Sequence, residues 1–416
     1  MELAERIVII GACIAAVSAA KAIRLLNNDI EIYIYGEERF LPYKRIRLTK
    51  DLLGGLDPDT LYIQKQSWYE ENNIKVHIGT KAIAINVLDH SIRLSDGSNI
   101  IYSKLLLAVG ARNNIPPIKG IDKEGVYTLR GLKDARDIME KAGRVGKILI
   151  IGGGVLGLEM AWCLQQINKE LVIAEALPRL MPKQLDECAS EILQSIIRSY
   201  GIEMHLDTQV RELTGEAQVT GYVTNKGVEG SCDMVIHSTG IRPNTELLKD
   251  SGIKINKGIV VNEKMETSIK DIYAAGDIAE FENALYGLWN IASVQGEVAG
   301  SNMVGVENRY TVPATATILN AFNYSMFSIG AMVDEAADKI ILENEPLVVN
   351  TLPVDSLAVK SYKKILLKDN EIIGAIFMGS NKEFPQIKRA IERKIEFQKQ
   401  YQKEISVSEF LSDLQV

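Results

Sequence analysis

Three glycines near the middle of the chain have the spacing of a phosphate-binding turn. Gly152, Gly154 and Gly157 follow an apolar strand at residues 148–151, and a helix with small residues follows them. The first glycine allows the turn, the second lets the backbone approach a pyrophosphate, and the third lets the helix pack against the strand. The pyrophosphate then lies at the helix N-terminus, where free amides and the helix dipole favour negative charge. We therefore expect a dinucleotide to bind here.

An acidic residue at the end of the next strand completes this pattern. Residues 171–174 form an apolar run that ends in Glu175. A carboxylate about 20 residues after the first glycine accepts hydrogen bonds from ribose hydroxyls and repels a 2′-phosphate. Glu175 therefore predicts NADH rather than NADPH. Arg179 weakens this prediction, because an arginine so close in sequence could accept the 2′-phosphate.

A degraded copy of the same motif lies near the start of the chain. Gly11 follows an apolar strand, Cys13 occupies the position of the second glycine, and Ala16 occupies that of the third. The next strand, at residues 30–35, leads to Glu37 as the acidic residue. Two such units predict two dinucleotide sites, as a flavin reduced by a nicotinamide requires. The alternative for either copy is an ordinary β-turn-α packing unit, and for Cys13 we favour a packing role because free cysteine is often a small buried residue.

The composition of the chain excludes several other classes of protein. Its 416 residues carry a net charge of −7, which argues against binding nucleic acid through phosphate neutralisation. No apolar stretch approaches the about 18 residues of a membrane span, and the apolar start lacks the basic region of a signal peptide. The four cysteines form no C-x-x-C pair and no metal-like cluster with histidine. We expect a cytoplasmic protein with no structural disulfide, no metal and no redox-active disulfide.

The elements around these turns predict an α/β protein with a second nucleotide unit inserted into the first. The dipeptide Pro116-Pro117 suggests a crossover between domains, and a strand at residues 271–275 ends in Gly276-Asp277. After residue 310 the pattern changes to strands followed by a charged helix. Further strands are predicted at residues 74–78, 82–87, 91–94, 104–109 and 234–240, then near 314–331, 347–352, 362–367 and 372–378, with the last helix at 388–402.

These motifs resemble the FAD-dependent pyridine nucleotide oxidoreductases, the two-dinucleotide-fold flavoproteins. Ala108-Val109-Gly110 is similar to the family's Ala-Thr-Gly strand end, and Ser238-Thr239-Gly240 is similar to its second occurrence. Residues 267–277 resemble the late FAD motif, whose aspartate holds the ribityl chain and a nearby phosphate. Residues 175–186 and 289–292 resemble one branch, the NADH:rubredoxin reductases and the flavin portion of assimilatory nitrite reductases.

The resemblance implies an α/β fold with two Rossmann-like domains and a smaller α+β C-terminal domain. The FAD domain is split by the inserted NAD domain, which predicts an FAD-binding domain at 1–113 and 242–309, an NAD-binding domain at 114–241 and a C-terminal interface domain at 310–416. The implied cofactors are FAD and NADH. The predicted cofactor-binding residues are Gly11, Cys13, Ala16, Glu37, Arg45, Lys50, Ala108, Gly110, Gly152, Gly154, Gly157, Glu175, Gly240, Gly276 and Asp277.

A basic loop carries the catalytic residues that the resemblance implies. Residues 42–50 resemble the Pro-Tyr-x-Arg-Pro-Pro-Leu-Ser-Lys loop of flavoprotein ferredoxin and rubredoxin reductases. There the arginine, here Arg45, contacts the FAD diphosphate, and the lysine, here Lys50, reaches the flavin ring. The family also places Glu159 near the nicotinamide, paired with Lys50. The alternatives are a solvated basic surface for the loop and a helix-dipole interaction for Glu159.

The resemblance implies that NADH reduces FAD. The reduced FAD then passes electrons one at a time to a small redox protein, without a cysteine relay. Rubredoxin is the first candidate, and flavodoxin or ferredoxin is possible. The alternatives are an NADH oxidase that uses O₂ and a non-catalytic, nucleotide-sensing flavoprotein. Small redox proteins such as rubredoxin are generally acidic, so their docking on this acidic protein needs a local basic patch. One candidate patch consists of Lys388, Arg389, Arg393, Lys394 and Lys399. For these residues we favour the alternative, a solvated helix face.

Overall fold

The computed structural model describes residues 5–347, 359–397 and 405–414. The chain forms two compact units. The first unit comprises Met1–Asn114, Arg130–Leu132 and Gly240–Val312, and the second comprises Ile115–Leu129, Lys133–Thr239 and Pro313–Val416. Each unit is described by itself below.

The helices and strands are numbered in chain order. The α-helices are α1 (Ile14–Leu26), α2 (Pro58–Leu61), α3 (Gln66–Glu71), α4 (Leu132–Ala142), α5 (Val155–Gln165), α6 (Glu187–Ser199), α7 (Trp289–Met303), α8 (Phe384–Glu392) and α9 (Val407–Asp413). The strands are β1 (Arg6–Ile10), β2 (Glu31–Gly36), β3 (Ile74–Ile78), β4 (Ala82–Asn86), β5 (Ser91–Leu94), β6 (Asn99–Ile101), β7 (Lys104–Leu107), β8 (Ala111–Asn113), β9 (Val126–Tyr127), β10 (Lys147–Ile151), β11 (Glu170–Ala174), β12 (Glu203–His205), β13 (Val210–Thr214), β14 (Gly221–Thr224), β15 (Glu229–Ser231), β16 (Met234–His237), β17 (Ile241–Pro243), β18 (Ile259–Val260), β19 (Ile272–Ala274), β20 (Ala279–Glu280), β21 (Ala316–Ala321), β22 (Tyr324–Gly330), β23 (Lys339–Leu347), β24 (Val359–Lys368) and β25 (Glu371–Met378).

A five-stranded parallel sheet forms the centre of the first unit, in the order β19-β7-β1-β2-β3. Its central strands are continuous runs of isoleucine, leucine and valine, as expected for strands covered on both faces. Helices α1 and α7 approach closely because Gly296 and Gly300 have no side chain. A Cβ at either position would overlap the carbonyl oxygen of Ala15 or Ala19. Strands β1 and β7 are neighbours, and their carboxyl ends lie beside the start of α1.

The second unit contains its own parallel sheet, in the order β12-β11-β10-β16-β9, and an antiparallel meander of β13, β14 and β15. Its C-terminal part is an antiparallel sheet in the order β21-β22-β25-β24-β23. Helices α8 and α9 share a hydrophobic core with one face of that sheet, around Phe327, Phe377 and Phe410. Tyr362 and Lys364 on β24 bind the carboxylate of Asp186, which caps α6, at 2.5 and 2.9 Å.

The fold class expected from the sequence is confirmed: the two parallel sheets are of the Rossmann type, and an α+β part follows them. The bounds of the four predicted segments stay a prediction. The predicted helix at 388–402 is wrong in length, because α8 ends at Glu392 and Lys394 has a left-handed φ of 49° that stops it. The predicted strand near 347–352 lies largely outside the described residues, as do residues 398–402. Within the described ranges, no helix is both long enough and apolar enough to cross a membrane.

Candidate nucleotide-binding sites

The turn between β10 and α5 has the geometry that its glycines predict. Gly152 has a φ of 114°, and a Cβ there would overlap the carbonyl oxygen of Ser238. A Cβ on Gly157 would overlap the carbonyl oxygen of Gly152, so this glycine lets the helix pack against the turn. A Cβ on Gly154 would meet no atom within 4 Å. The first and third glycines are therefore needed for packing, and the second leaves open space for a ligand.

Glu175 fixes this turn through its carboxylate. One oxygen accepts the amide of Gly153 at 2.6 Å, and the other accepts the amide of Leu177 at 2.8 Å. The residue is only 9% exposed. A carboxylate has about four acceptor positions, so capacity for ribose hydroxyls remains. Nearby, the Nε of Arg179 is buried without a hydrogen-bond partner among the described residues.

Two other predicted site residues are Glu159 and Gly240. Glu159 is half-buried on α5. Its charge adds to the effect of burial in raising the pKa of Cys163 to about 12. Gly240 belongs to the first unit, where it has a φ of 90° and its carbonyl accepts the amide of Asn114 at 2.9 Å. The roles of Glu159 and Gly240 stay predictions.

The first unit contains a cavity of about 910 Å³ at the carboxyl ends of its parallel strands. This volume lies in the range of ligand and cofactor sites, and the edge is where ligands bind to open α/β sheets. Residues from β1, β2, the start of α1 and the segment that follows β7 line it. The predicted site residues in its wall are Gly11, Cys13, Glu37, Arg45, Ala108, Gly110, Gly276 and Asp277.

The degraded glycine turn keeps the glycine that the backbone needs most. Gly11 has a φ of 115°, and a Cβ there would overlap the carbonyl oxygen of Ala108. Cys13 is the N-cap residue of α1, but its side chain does not cap the helix and instead donates to the Ala108 carbonyl at 3.3 Å. Ala16 is fully buried. The first-turn amides of α1 are thus left without a side-chain cap at the cavity, which suits an anionic diphosphate.

Two arginines in the cavity wall are held by carboxylates. The guanidinium of Arg45 hydrogen-bonds to Glu38 and donates to the Tyr43 hydroxyl at 2.9 Å. Arg130 donates to Asp277 at 2.7 Å, with side chains 30% and 17% exposed. These guanidinium groups offer fixed donors for phosphate oxygens. Their arrangement, the uncapped start of α1 and the cavity volume fit the diphosphate and ribityl parts of FAD.

Glu37 and Lys50 have different surroundings. Glu37 forms an ion pair with Lys81 at 2.8 Å, and both side chains are more than half exposed. Lys50 is exposed, and it does not belong to the wall of the cavity. Lys50 and Glu159 belong to different units, so the predicted pair stays a prediction.

Arg130, whose guanidinium lies in the cavity wall, was not predicted from the sequence. Arg130 is in no recognisable motif, and its partner Asp277 is 147 positions away in the chain. The pairing of this half-buried arginine with a motif aspartate is visible only after folding. Tyr43 was noted only as part of a loop resemblance, although its hydroxyl contacts Glu38 and Arg45. Lys81, the partner of Glu37, was also missed.

Comparison with known proteins identifies two matching families. Residues 5–296 match the family described as pyridine nucleotide-disulphide oxidoreductase. The chain belongs to this family. Residues 315–395 match the C-terminal domain of rubredoxin NAD⁺ reductase. The family expected from the sequence is therefore confirmed, including its rubredoxin reductase branch.

The relatives include whole proteins and parts of larger ones. The chain is 33% identical to a nitrite reductase [NAD(P)H] of Bacillus subtilis, over 91% of this chain but only 46% of that protein. It is 33% identical to the NADH-rubredoxin oxidoreductase of Clostridium acetobutylicum, over 93% of this chain and 94% of that one. A crystal structure of NADH:rubredoxin oxidoreductase from the same organism superposes with a TM-score of 0.77 at 31% identity, covering 98% and 99% of the two chains. The chain thus spans about half of the nitrite reductase and nearly all of the rubredoxin reductase.

Proposed function

We propose that this protein is a cytoplasmic, FAD-dependent NADH oxidoreductase that passes electrons to a small redox protein, with rubredoxin as the first candidate. The observation that carries the proposal is the cavity of the first unit. It combines an uncapped helix N-terminus with two carboxylate-held arginines. The second glycine turn, tied to Glu175, supports a separate NADH site.

Three parts of FAD have candidate partners at the cavity: the diphosphate, the ribityl chain and the adenosine ribose. Arg45, Arg130 and the first-turn amides of α1 would bind the diphosphate. Asp277 would bind the ribityl chain, and Glu37 would accept the adenosine ribose hydroxyls. When bound, FAD supplies the redox chemistry by accepting a hydride and releasing electrons one at a time. The chain's own residues orient the cofactor and balance its charge.

The state of the cysteines supports direct transfer to a one-electron carrier. Burial raises the pKa of Cys163 and of Cys232 to about 12, and it also raises the pKa of Cys13. Each thiol therefore stays protonated at neutral pH, whereas disulfide exchange requires a thiolate. Cys188 is half-buried, and no disulfide joins any of the four cysteines in the described part of the chain. A relay through a redox-active disulfide is accordingly disfavoured.

The docking site for the carrier stays a prediction. On α8, Lys388 pairs with Glu392 at 3.2 Å, which neutralises part of the proposed basic patch. Arg393 and Lys394 follow the helix end, and Lys399 lies outside the described residues. The surface therefore offers fewer unpaired cations than the sequence suggested.

Stopped-flow reoxidation tests the proposed acceptor. The protein is reduced anaerobically with one equivalent of NADH, then mixed with either oxidised rubredoxin or air-saturated buffer. We expect rubredoxin to reoxidise it much faster than O₂ does. A variant with all four cysteines replaced by serine or alanine should keep this rate within about tenfold, or about 1.4 kcal/mol of barrier.

Faster reoxidation by O₂ would favour an NADH oxidase instead. A cysteine-free variant that retains FAD and fold but loses electron transfer would show that a thiol takes part. Absence of flavin with normal folding would favour the nucleotide-sensing alternative.

A further inference from the structure

Residues 130–132, called the strap here, form a short segment that docks on the first unit. The chain on both sides of the strap, at 115–129 and from 133 onward, belongs to the second unit. Arg130 contributes its side chain to the cavity wall, where its Nη2 would lie 3.6 Å from a Cβ on Gly110. Leu132 is fully buried. Three residues thus cross into the flavin-binding unit and place one charged group in its cavity.

The strap is held by its main chain at both ends. The carbonyl of Arg130 accepts a hydrogen bond from Nη1 of Arg45 at 2.8 Å. The amide of Leu132 donates to the hydroxyl of Tyr43 at 3.0 Å. Both anchors come from the basic loop at residues 42–50, so one loop holds the strap on either side of Gly131.

Tyr43 connects these anchors to each other. Its hydroxyl donates to Glu38 at 2.6 Å and accepts from Arg45 at 2.9 Å, while the ring is 3% exposed. Burial, the largest effect, raises the pKa of Tyr43, so the hydroxyl stays protonated and can serve as donor and acceptor. Gly131 has no side chain, and a Cβ there would lie 3.3 Å from Glu38 and 3.5 Å from the Tyr43 hydroxyl. The uncharged hydroxyl of Tyr43 therefore positions the strap through its hydrogen bonds.

A third anchor joins the strap to the far side of the cavity. Arg130 donates to Asp277, at the end of the late FAD motif, across 2.7 Å. The main-chain and side-chain anchors together bring Arg45, Arg130 and Asp277 around the region where the diphosphate would bind. FAD that enters or leaves this region has to pass these three side chains, which are tied to the strap.

We propose that the strap is a latch that controls the exchange of FAD, and that Tyr43 is the positioning residue that keeps it closed. Opening separates Leu132 from Tyr43 and Arg130 from Arg45, which frees one side of the cavity. A closed latch slows both uptake and release. A residue that only contacted FAD would slow its release and leave its uptake unchanged.

The two rate constants distinguish these roles. Uptake is measured from the quenching of flavin fluorescence when FAD is mixed with apoprotein, and release is measured from recovery of that fluorescence after dilution into an FAD trap. In Tyr43→Phe we expect both rate constants to rise about fivefold, the factor that one ordinary hydrogen bond supplies. Because both change together, the dissociation constant should change less than twofold.

Tyr69→Phe is the matched control. Tyr69 belongs to the same unit and is fully buried, it does not line the cavity, and its hydroxyl has no hydrogen-bond partner among the described residues. Its variant should keep both parental rate constants. Release that accelerates alone in Tyr43→Phe would overturn the latch, as would two unchanged rate constants or an equal response in Tyr69→Phe.

Hydrogen exchange in the unmodified protein gives a second test that does not require a variant to fold. Peptides that cover the Leu132 amide should exchange faster in apoprotein than in FAD-loaded protein, because bound FAD would disfavour the open latch. Equal exchange would overturn the proposal. The inference rests on FAD binding in the proposed function: apoprotein that takes up no FAD contradicts that function, whereas normal uptake with unchanged rates in Tyr43→Phe contradicts only the latch.

Discussion

The carboxylate of Glu175 accepts the backbone amide of Gly153 at 2.6 Å. This bond ties the acidic end of β11 to the glycine turn between β10 and α5. The residue predicted to select the nucleotide therefore also fixes the loop that would bind its pyrophosphate. The side chain of Glu175 is therefore expected to affect both the choice of nucleotide and the geometry of the glycine turn.

Replacing Glu175 should reduce both the use of NADH and the discrimination against NADPH. The parent protein should prefer NADH, and Glu175→Ala should lower kcat/KM for NADH about tenfold, because hydrogen bonds to a charged group are lost. Activity with NADPH should fall less, since repulsion of the 2′-phosphate is also removed. Glu170→Ala, at the exposed start of the same strand, is the control and should behave like the parent. Equal kcat/KM values for the two nucleotides in the parent would contradict the assignment.

Cys13 should be dispensable for FAD binding. Its side chain occupies the position of the second glycine and restricts the approach of the backbone to a diphosphate. Cys13→Gly should therefore bind FAD as tightly as the parent or more tightly, as measured by the FAD-to-protein ratio and the dissociation constant. Cys13→Ser keeps the bulk and a donor for the Ala108 carbonyl, and should resemble the parent. If only the glycine variant loses its flavin, the side chain at this position is required.

Lys50 should raise the midpoint potential of the bound flavin. If its ammonium group lies near the ring, as the resemblance implies, Lys50→Met removes a positive charge that stabilises reduced flavin. The midpoint potential and the rate of reduction by NADH should both fall, by amounts that depend on the local dielectric. Lys44→Met, in the same loop, is the matched control and should change neither. If Lys50→Met and Lys44→Met have the same flavin midpoint potential, the loop is a solvated basic surface instead.

Asp186 should stabilise the second unit in a pH-dependent way. Burial alone would raise the pKa of Asp186, but hydrogen bonds from Tyr362, the Ala189 amide and Lys364 outweigh it and lower that pKa. A carboxyl with a depressed pKa contributes stability above its unfolded value, about 4, and this stability is lost as the pH falls through the folded pKa. Asp186→Asn should therefore lower the unfolding free energy at pH 7, by at most about 3 kcal/mol.

Chemical denaturation from pH 3 to pH 8 measures this effect. The difference between the parent and Asp186→Asn should be constant from about pH 5 upward and should shrink below about pH 4. Adding Lys364→Met should recover part of the loss, since the variant alone leaves Lys364 with Asp334 as its remaining carboxylate. A difference that does not vary with pH would show that the ion pair contributes no net stability.

The sequence predicted the parts of the sites that depend on local spacing. The positive φ of Gly11 and Gly152 is a requirement of the turn itself, and a Cβ on Gly157 would overlap the carbonyl of the nearby Gly152. The strands ending at these turns were likewise recognisable from continuous apolar runs. These features depend on neighbours within a few residues, so a single sequence contains them. The carbonyls of Ala108 and Ser238, which Gly11 and Gly152 approach, come from distant parts of the chain and were not predictable.

Features that depend on distant partners were not predictable. Arg130 meets Asp277 only because the strap returns to the first unit, and Lys81 meets Glu37 only because the turn before β4 lies beside the end of β2. The predicted length of the helix at 388–402 was wrong, because the left-handed Lys394 follows the end of α8 within a run of charged residues that are otherwise compatible with a helix. Composition and periodicity do not contain these constraints.

An absorbance spectrum before and after anaerobic addition of NADH tests the central claim most directly. The purified protein should be yellow, with an FAD spectrum at about one flavin per chain that NADH bleaches and oxidised rubredoxin restores. Folded protein without flavin, or an FAD spectrum that NADH leaves unchanged, would contradict the assignment as an FAD-dependent NADH oxidoreductase.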